Sequence, residues 1–281
     1  MVHGAGVCAY AGYESGEFLD IKSLDEAIVS AIRDAEEMSR IRIRDIVVAV
    51  PAPFSKLIVT AATIRLDPRK ERIKADDIDE LISLSLAKAR APEHVLMHST
   101  PISYTVDGYT SSEAPEGKRA GELSAEVSHM YVQERFLNTI SEILKTLSIE
   151  ISMCVSTPLA ESLLLIPEEE RVRPAVLIDV GYTHTDVSLV ENAALTNLTT
   201  IDMGGAQFAS DLAYGLEIPL ETAEQVKRKY TFLQEGEDKV ETIRMVTGVK
   251  RVEHGVIELI VGARADEFVD LLKRSLRMLG V

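Results

Sequence analysis

Residues 175–190 read AVLIDVGYTHTDVSLV. An apolar run reaches one acid, Asp179; a glycine and a polar patch follow, and a second apolar run starts at Val187. AVLIDV reads as a buried strand and TDVSLV as the strand paired with it, with Gly181-Tyr182-Thr183-His184 as the turn. Such a turn presents converging backbone N–H groups, a concave site for an anion, and adds the hydroxyls of Thr183 and Thr185. Gly181 lets a phosphate approach the backbone closely. A carboxylate beside phosphate makes sense if Asp179 holds Mg²⁺, directly or through water, because Mg²⁺ keeps several waters and takes few carboxylates. The plainer alternative is a β-hairpin whose Asp179 satisfies nearby backbone donors.

The chain has 281 residues, 46% hydrophobic and 27% charged, enough for one large or two ordinary domains. A net charge of −15 argues against a general nucleic-acid or anionic-membrane binder, which needs clustered Lys and Arg. Cys8 and Cys154 lack metal-ligand spacing and fit a reducing compartment. No apolar run approaches the roughly 20 residues of a membrane span. The opening MVHGAGVCAY lacks a signal peptide's basic and apolar regions. The cytoplasm is the expected location.

Strands and helices alternate around the hairpin. Residues 23–40 have helical apolar spacing, with Ser23 as N-cap and Glu26 completing a capping box. Residues 46–50 and 55–66 read as strands. Residues 76–91 read as a helix capped by Asp76, 94–110 and 122–132 as extended, 135–147 as a helix and 149–156 as a strand. The order suggests an α/β core carrying an inserted α+β unit, entered through 66–77 and left through 155–162. In that unit, 94–110 and 122–132 should pair in one sheet with both neighbouring helices packed on it.

Downstream, the strand at 194–203 runs into Gly204-Gly205 and a helix, AQFASDLAYGL. A second helix spans 218–230, started by Pro219. Glu224 and Lys227 share a face there, with Arg228 adjacent; by itself this is a surface ion pair worth a few tenths of a kcal/mol. His94, His98, His129 and His254 lack metal-ligand spacing and read as structural or surface residues, and His184 reads as a solvated turn residue.

In this order the pieces resemble the second half of an actin/Hsp70-type ATPase, and within it the bacterial cell-division family FtsA. The run MGGAQFASDLAYGLEIPLETAEQVKRKY carries the most specific likeness, and the likeness extends over nearly the whole chain. It implies an actin-like (ribonuclease H-like) α/β fold, with core subdomain 1–67 plus 155–203, inserted small subdomain 68–154 and a partial second subdomain 204–281. It implies ATP with Mg²⁺ as cofactors, held by Asp179, Gly181, Tyr182, Thr183, Gly204, Gly205, Glu224, Lys227 and Arg228, with Asp179 as the metal residue.

Three features depart from the family. The phosphate hairpin is normally glycine-rich, whereas Tyr182-Thr183-His184-Thr185 is closer to the pilus-assembly relative PilM. The start matches a strand that follows the family's first phosphate hairpin, so that hairpin is expected to be missing. The end, KRSLRMLGV, precedes the family's adenosine loop and membrane tail. The implied function is that of a protein tying the FtsZ ring to the inner membrane at the division site, on its cytoplasmic face. By the same resemblance it self-associates into filaments, contacts later division proteins through the inserted subdomain, and is at most a weak ATPase; the charge balance argues against nucleic acid, and a cradle with one phosphate hairpin and no adenosine loop is expected to bind ATP weakly. The alternatives are a PilM-like component of a pilus or secretion assembly and a nucleotide-free scaffold.

Overall fold

The computed structural model describes residues 2–14, 16–67, 72–231, 240–246 and 248–281. Part of the expected entry to the inserted unit, 68–71, lies outside them. The chain divides into two compact units, Met1–Leu177 with Ser188–Leu198, and Ile178–Val187 with Thr199–Val281.

The first unit opens with two short paired strands, β1 (Tyr13–Glu14) and β2 (Glu17–Phe18), and helix α1 (Ile21–Ser39). Residues 2–12, expected as a strand, carry none; Gly4, Gly6 and Gly12 leave little side chain to hold a ladder. The cap of α1 is Asp20, not Ser23: its carboxylate accepts from Ser23 N–H at 3.0 Å. Strand β3 (Asp45–Val50) later pairs in parallel with β8 (Glu150–Ser156). Between them lie β4 (Ser55–Arg65), α2 (Ala75–Leu86), β5 (His94–Val106), β6 (Tyr109–Ser111), β7 (Glu122–Gln133) and α3 (Glu134–Thr146).

These strands form one antiparallel sheet in the order β4-β7-β5-β6. β5 and β7 pair as expected, and β4 pairs with β7 along its whole length. The stretch read as extended over 94–110 is broken by an Asp107-Gly108 hairpin turn with φ of 45° and 89°, which a two-residue turn requires. Helix α2 is capped through Asp77, whose carboxylate accepts from Lys74 N–H at 2.9 Å, and not by Asp76. Its apolar face meets the sheet at Ile64, Leu81, Tyr104, Leu123 and Val127.

The other helix does not join that core. Phe136, Ile140, Ile143 and Leu144 of α3 pack with Leu24, Val48, Val50 and Phe54, so α3 belongs to α1, β3 and β8. Beneath α2, fully buried His129 bonds Ser85 Oγ at 3.0 Å and Thr60 Oγ1 at 3.1 Å through Nε2, and Ser99 Oγ at 2.8 Å through Nδ1. Burial pushes its pKa down.

Helices α4 (Thr157–Leu165) and α5 (Glu168–Arg171) lead to β9 (Ala175–Val180), β10 (Thr185–Glu191) and β11 (Ala194–Ile201), in sheet order β11-β10-β9. β9 is an edge strand and not a buried one: Val180 is 54% exposed, and Ile178 and Asp179 are exposed too. The remaining elements are α6 (Gly205–Gly215), α7 (Leu220–Lys229), the hairpin β12 (Val240–Met245) and β13 (Gly248–Glu253), and the long helix α8 (His254–Met278). Leu212, Leu216, Ala223, Ile243, Val252, Ile257 and Val261 form their core. No described helix is long and apolar enough to cross a membrane.

Candidate functional site

All nine residues singled out in the sequence fall in the second unit, at the end of β9, on the β9–β10 turn, at the start of α6 and on one face of α7. The turn closes on itself, because Gly181 N–H donates to His184 O at 3.0 Å. A Cβ at Gly181 would stand 2.9 Å from that oxygen, so the turn itself demands glycine, whatever a ligand needs.

The Gly-Gly step packs directly on this turn. Gly205 N–H donates to Gly181 O at 3.0 Å and Ala206 N–H to Tyr182 O at 2.7 Å. Two of the first amides of α6, which a helix leaves without partners, are therefore satisfied by the hairpin. A third contact completes the start: Gly204 N–H donates to Gln207 Oε1 at 2.8 Å. The approach is so close that a Cβ on Gly204 would lie 2.5 Å from Gly181 O and 2.7 Å from Tyr182 O.

Helix α7 brings Lys227 onto this step. Its Nζ donates to Gly205 O at 3.0 Å, lies 2.7 Å from Glu224 Oε2, and sits 5.1 Å from the centre of the Tyr182 ring. Arg228 Nε donates to Glu224 Oε1 at 2.8 Å. The expected solvated surface pair is therefore half-sequestered: the Glu224 and Lys227 side chains are 18% and 20% exposed. Burial pushes the Glu224 pKa up, but the bonds and charges of Lys227 and Arg228 outweigh it and hold the carboxyl below its usual range. Lys227 Nζ at 2.7 Å pairs with Oε2, which is closed off from solvent.

The hydroxyls divide in a way the sequence did not anticipate. Thr185 is fully buried and donates to Met203 O at 2.7 Å, so it is not offered to a ligand. Thr183 Oγ1 is 2.9 Å from His184 Nδ1. His184 Nε2 lies 3.6 Å from Asp186 Oδ2, and Thr200 donates to Asp186 Oδ1 at 2.7 Å. His184 is thus no solvated turn residue. The Asp186 bond raises its pKa, burial opposes that, and Asp179 and Asp202 add to the rise. The sequence signal was available in T-H-T-D: positions 184 and 186 share one strand face. Asp179 is exposed, with no hydrogen bond or ion pair among the described residues, so it is not spent on local backbone donors. Such a carboxylate fits Mg²⁺ held through water, and no cluster of three metal-ligating side chains occurs among the described residues.

A cavity of about 520 Å³ lies elsewhere in the second unit. It is lined by Thr222, Gln225, Val226 and Lys229 of α7, by Ile243 and by His254. These α7 positions form the face turned away from Glu224 and Lys227. None of the nine residues lines this cavity.

Two family models match this chain: the cell division protein FtsA over residues 176–279, and the SHS2 domain inserted in FtsA over residues 56–131. The chain is an FtsA-like protein. FtsA of Buchnera aphidicola is 26% identical over 85% of this chain and 56% of its own length. FtsA of Bacillus subtilis is 22% identical over 99% of this chain and 64% of its own length. The FtsA-like chain thus spans somewhat under two thirds of the length of these relatives. A solved PilM-PilN type IV pilus biogenesis complex superposes with a TM-score of 0.60, covering 96% of this chain and 68% of that one at 18% identity, which speaks to fold. The fold is that of an actin-like ATPase with an SHS2 insert.

Proposed function

We propose that this chain acts in bacterial cell division as an ATP-binding, self-associating protein that ties the FtsZ ring to the cytoplasmic face of the inner membrane. Nucleotide serves assembly more than turnover, and the ATPase is weak at most. The observation that carries the reading is the convergence of three separate segments in one place: the Asp179–Gly181 hairpin, the Gly204-Gly205 step and the Glu224/Lys227/Arg228 face. The same unit offers an exposed carboxylate at Asp179 and a buried, lysine-paired carboxylate at Glu224. A nucleotide would use both, through Mg²⁺ at Asp179 and a ligand hydroxyl at Glu224. Mg²⁺ would bring charge neutralisation to the phosphates; the chain's own part is to hold and orient them.

FtsZ, a second copy of this chain, and later division proteins meeting the SHS2 insert are the proposed partners. The Tyr182-Thr183-His184 turn keeps a PilM-like role in a pilus assembly as the second reading. Calorimetry with Mg·ATP on the parent and on Asp179→Ala tests the site. Asp179→Ala should weaken Mg·ATP binding at least tenfold with unchanged thermal stability. Equal affinity in the two proteins would return Asp179 to a plain hairpin role, and absence of binding in both would leave an interaction scaffold.

A further inference from the structure

We infer that Tyr182 is a positioning residue that sets the affinity of the nucleotide site by holding Lys227 in a withdrawn place. The inference rests on the nucleotide reading above and adds the contact that regulates it. A lysine ammonium has three N–H donors and no more. Here one bonds Gly205 O at 3.0 Å, the charge lies 2.7 Å from Glu224 Oε2, and the ring of Tyr182 stands 5.1 Å away, within cation–π range. Two of the three donors are thus turned toward protein oxygens, and the ring shares the charge. Lys227 also sits over Glu224, whose Oε2 is out of solvent's reach. A ligand that needs either residue must first shift Lys227.

The three contacts are not equally easy to give up. Gly205 O belongs to a helix start fixed by two main-chain bonds to the hairpin, and Glu224 is largely buried. Tyr182 is 50% exposed, and its main chain is tied by the 2.7 Å bond from Ala206 N–H to Tyr182 O, so the side chain is the part with room to move. The aromatic side chain is thus the movable part of a latch whose hinge is fixed. Sequence reading assigned Tyr182 to the cofactor directly; the geometry makes it act through Lys227. A partly exposed cation–π contact that must be broken before binding weakens a ligand about two- to fivefold.

The test is a double-mutant cycle with Mg·ATP as the probe. Tyr182→Ala should bind Mg·ATP about two- to fivefold tighter than the parent, and Tyr182→Phe, which keeps the ring, should return the weaker binding. In a Lys227→Met background, Tyr182→Ala should bring no gain. Unchanged or weaker binding in Tyr182→Ala, or a gain that persists without Lys227, overturns the latch. A ligand-free arm separates this from failure of the nucleotide reading. The chain has no tryptophan, so Tyr182→Trp installs a single indole at the latch. Adding Lys227→Met should make that indole markedly more open to acrylamide quenching. Equal quenching with and without Lys227 overturns the latch even if no variant binds Mg·ATP.

Discussion

Gly204→Ala should be among the most damaging methyl additions in the second unit, and the structure gives its size. Gly204 has φ of −155° and ψ of −156°, extended backbone that alanine also adopts, so the penalty is steric and not conformational. The new Cβ would meet Gly181 O at 2.5 Å and Tyr182 O at 2.7 Å, both backbone atoms that cannot rotate away. The hairpin must separate from α6, and the Gly205-to-Gly181 and Ala206-to-Tyr182 bonds go with it. Two hydrogen bonds at about 0.5–1.5 kcal/mol each and an overpacking term of about 1–3 kcal/mol give a loss of about 2–5 kcal/mol. Gly205→Ala is the control. Its Cβ would crowd Lys227 Nζ, at 2.8 Å, the far end of a flexible side chain, and otherwise stand in ordinary contact with Tyr182 Cδ2 at 3.7 Å and Lys227 Cε at 3.8 Å, so the cost should stay under about 1 kcal/mol. Urea unfolding reads the difference, and amide exchange at Gly205 and Ala206 reads its cause: both should lose protection in Gly204→Ala alone. Equal stability of the two variants, or protected amides in Gly204→Ala, would refute the packing argument.

Two further perturbations probe other parts of the molecule. His129 has a pKa depressed by burial, so its contribution to stability is present above the unfolded value of about 6.5 and is lost as pH falls below it. Urea stability followed from pH 7.5 to 5 should fall on acidification, and less steeply in His129→Gln; a parallel slope in the variant would remove His129 as the cause. Arg264 forks onto Asp211 through Nε and through Nη2, the latter at 2.9 Å, and also reaches Glu267. The side chains are partly exposed, so Asp211→Ala should cost only about 1–2 kcal/mol in the same assay, shrinking in high salt; a salt-independent loss would point to packing instead.

What the sequence made legible was local. The apolar runs of β3, β7 and β9, the periodicity of α1 and α3, and Pro219 before α7 each announce an element through neighbours within one or two turns. The convergence of Asp179–Gly181, Gly204-Gly205 and Lys227 was legible only as a resemblance, since main-chain bonds across more than twenty residues make it. What failed depended on partners that no window contains. Val180 looked buried because it is apolar, yet β9 is an edge strand. Thr185 looked like a ligand hydroxyl, yet strand alternation turns it inward to Met203 O. Ser23 and Asp76 looked like caps by type, while Asp20 and Asp77 held the geometry. The β12–β13 hairpin and the first half of α8 passed unread, and the Asp107-Gly108 turn was overlooked although its dipeptide is a strong hairpin signal.

On the proposed reading this chain holds a nucleotide site in a closed-up state, with helix amides bonded to the hairpin and Lys227 bonded to its neighbours. Titration of the purified chain with ATP, with and without Mg²⁺, followed by calorimetry, tests it most directly. With the amides of Gly205 and Ala206 and the donors of Lys227 already engaged, contacts worth about 1.5–3 kcal/mol each must be exchanged and not simply gained, so affinity should be low. Binding should be Mg²⁺-dependent and one-to-one with a Kd in the high micromolar range or weaker, and without turnover. Tight, stoichiometric binding, turnover of ATP, or binding indifferent to Mg²⁺ would contradict this reading.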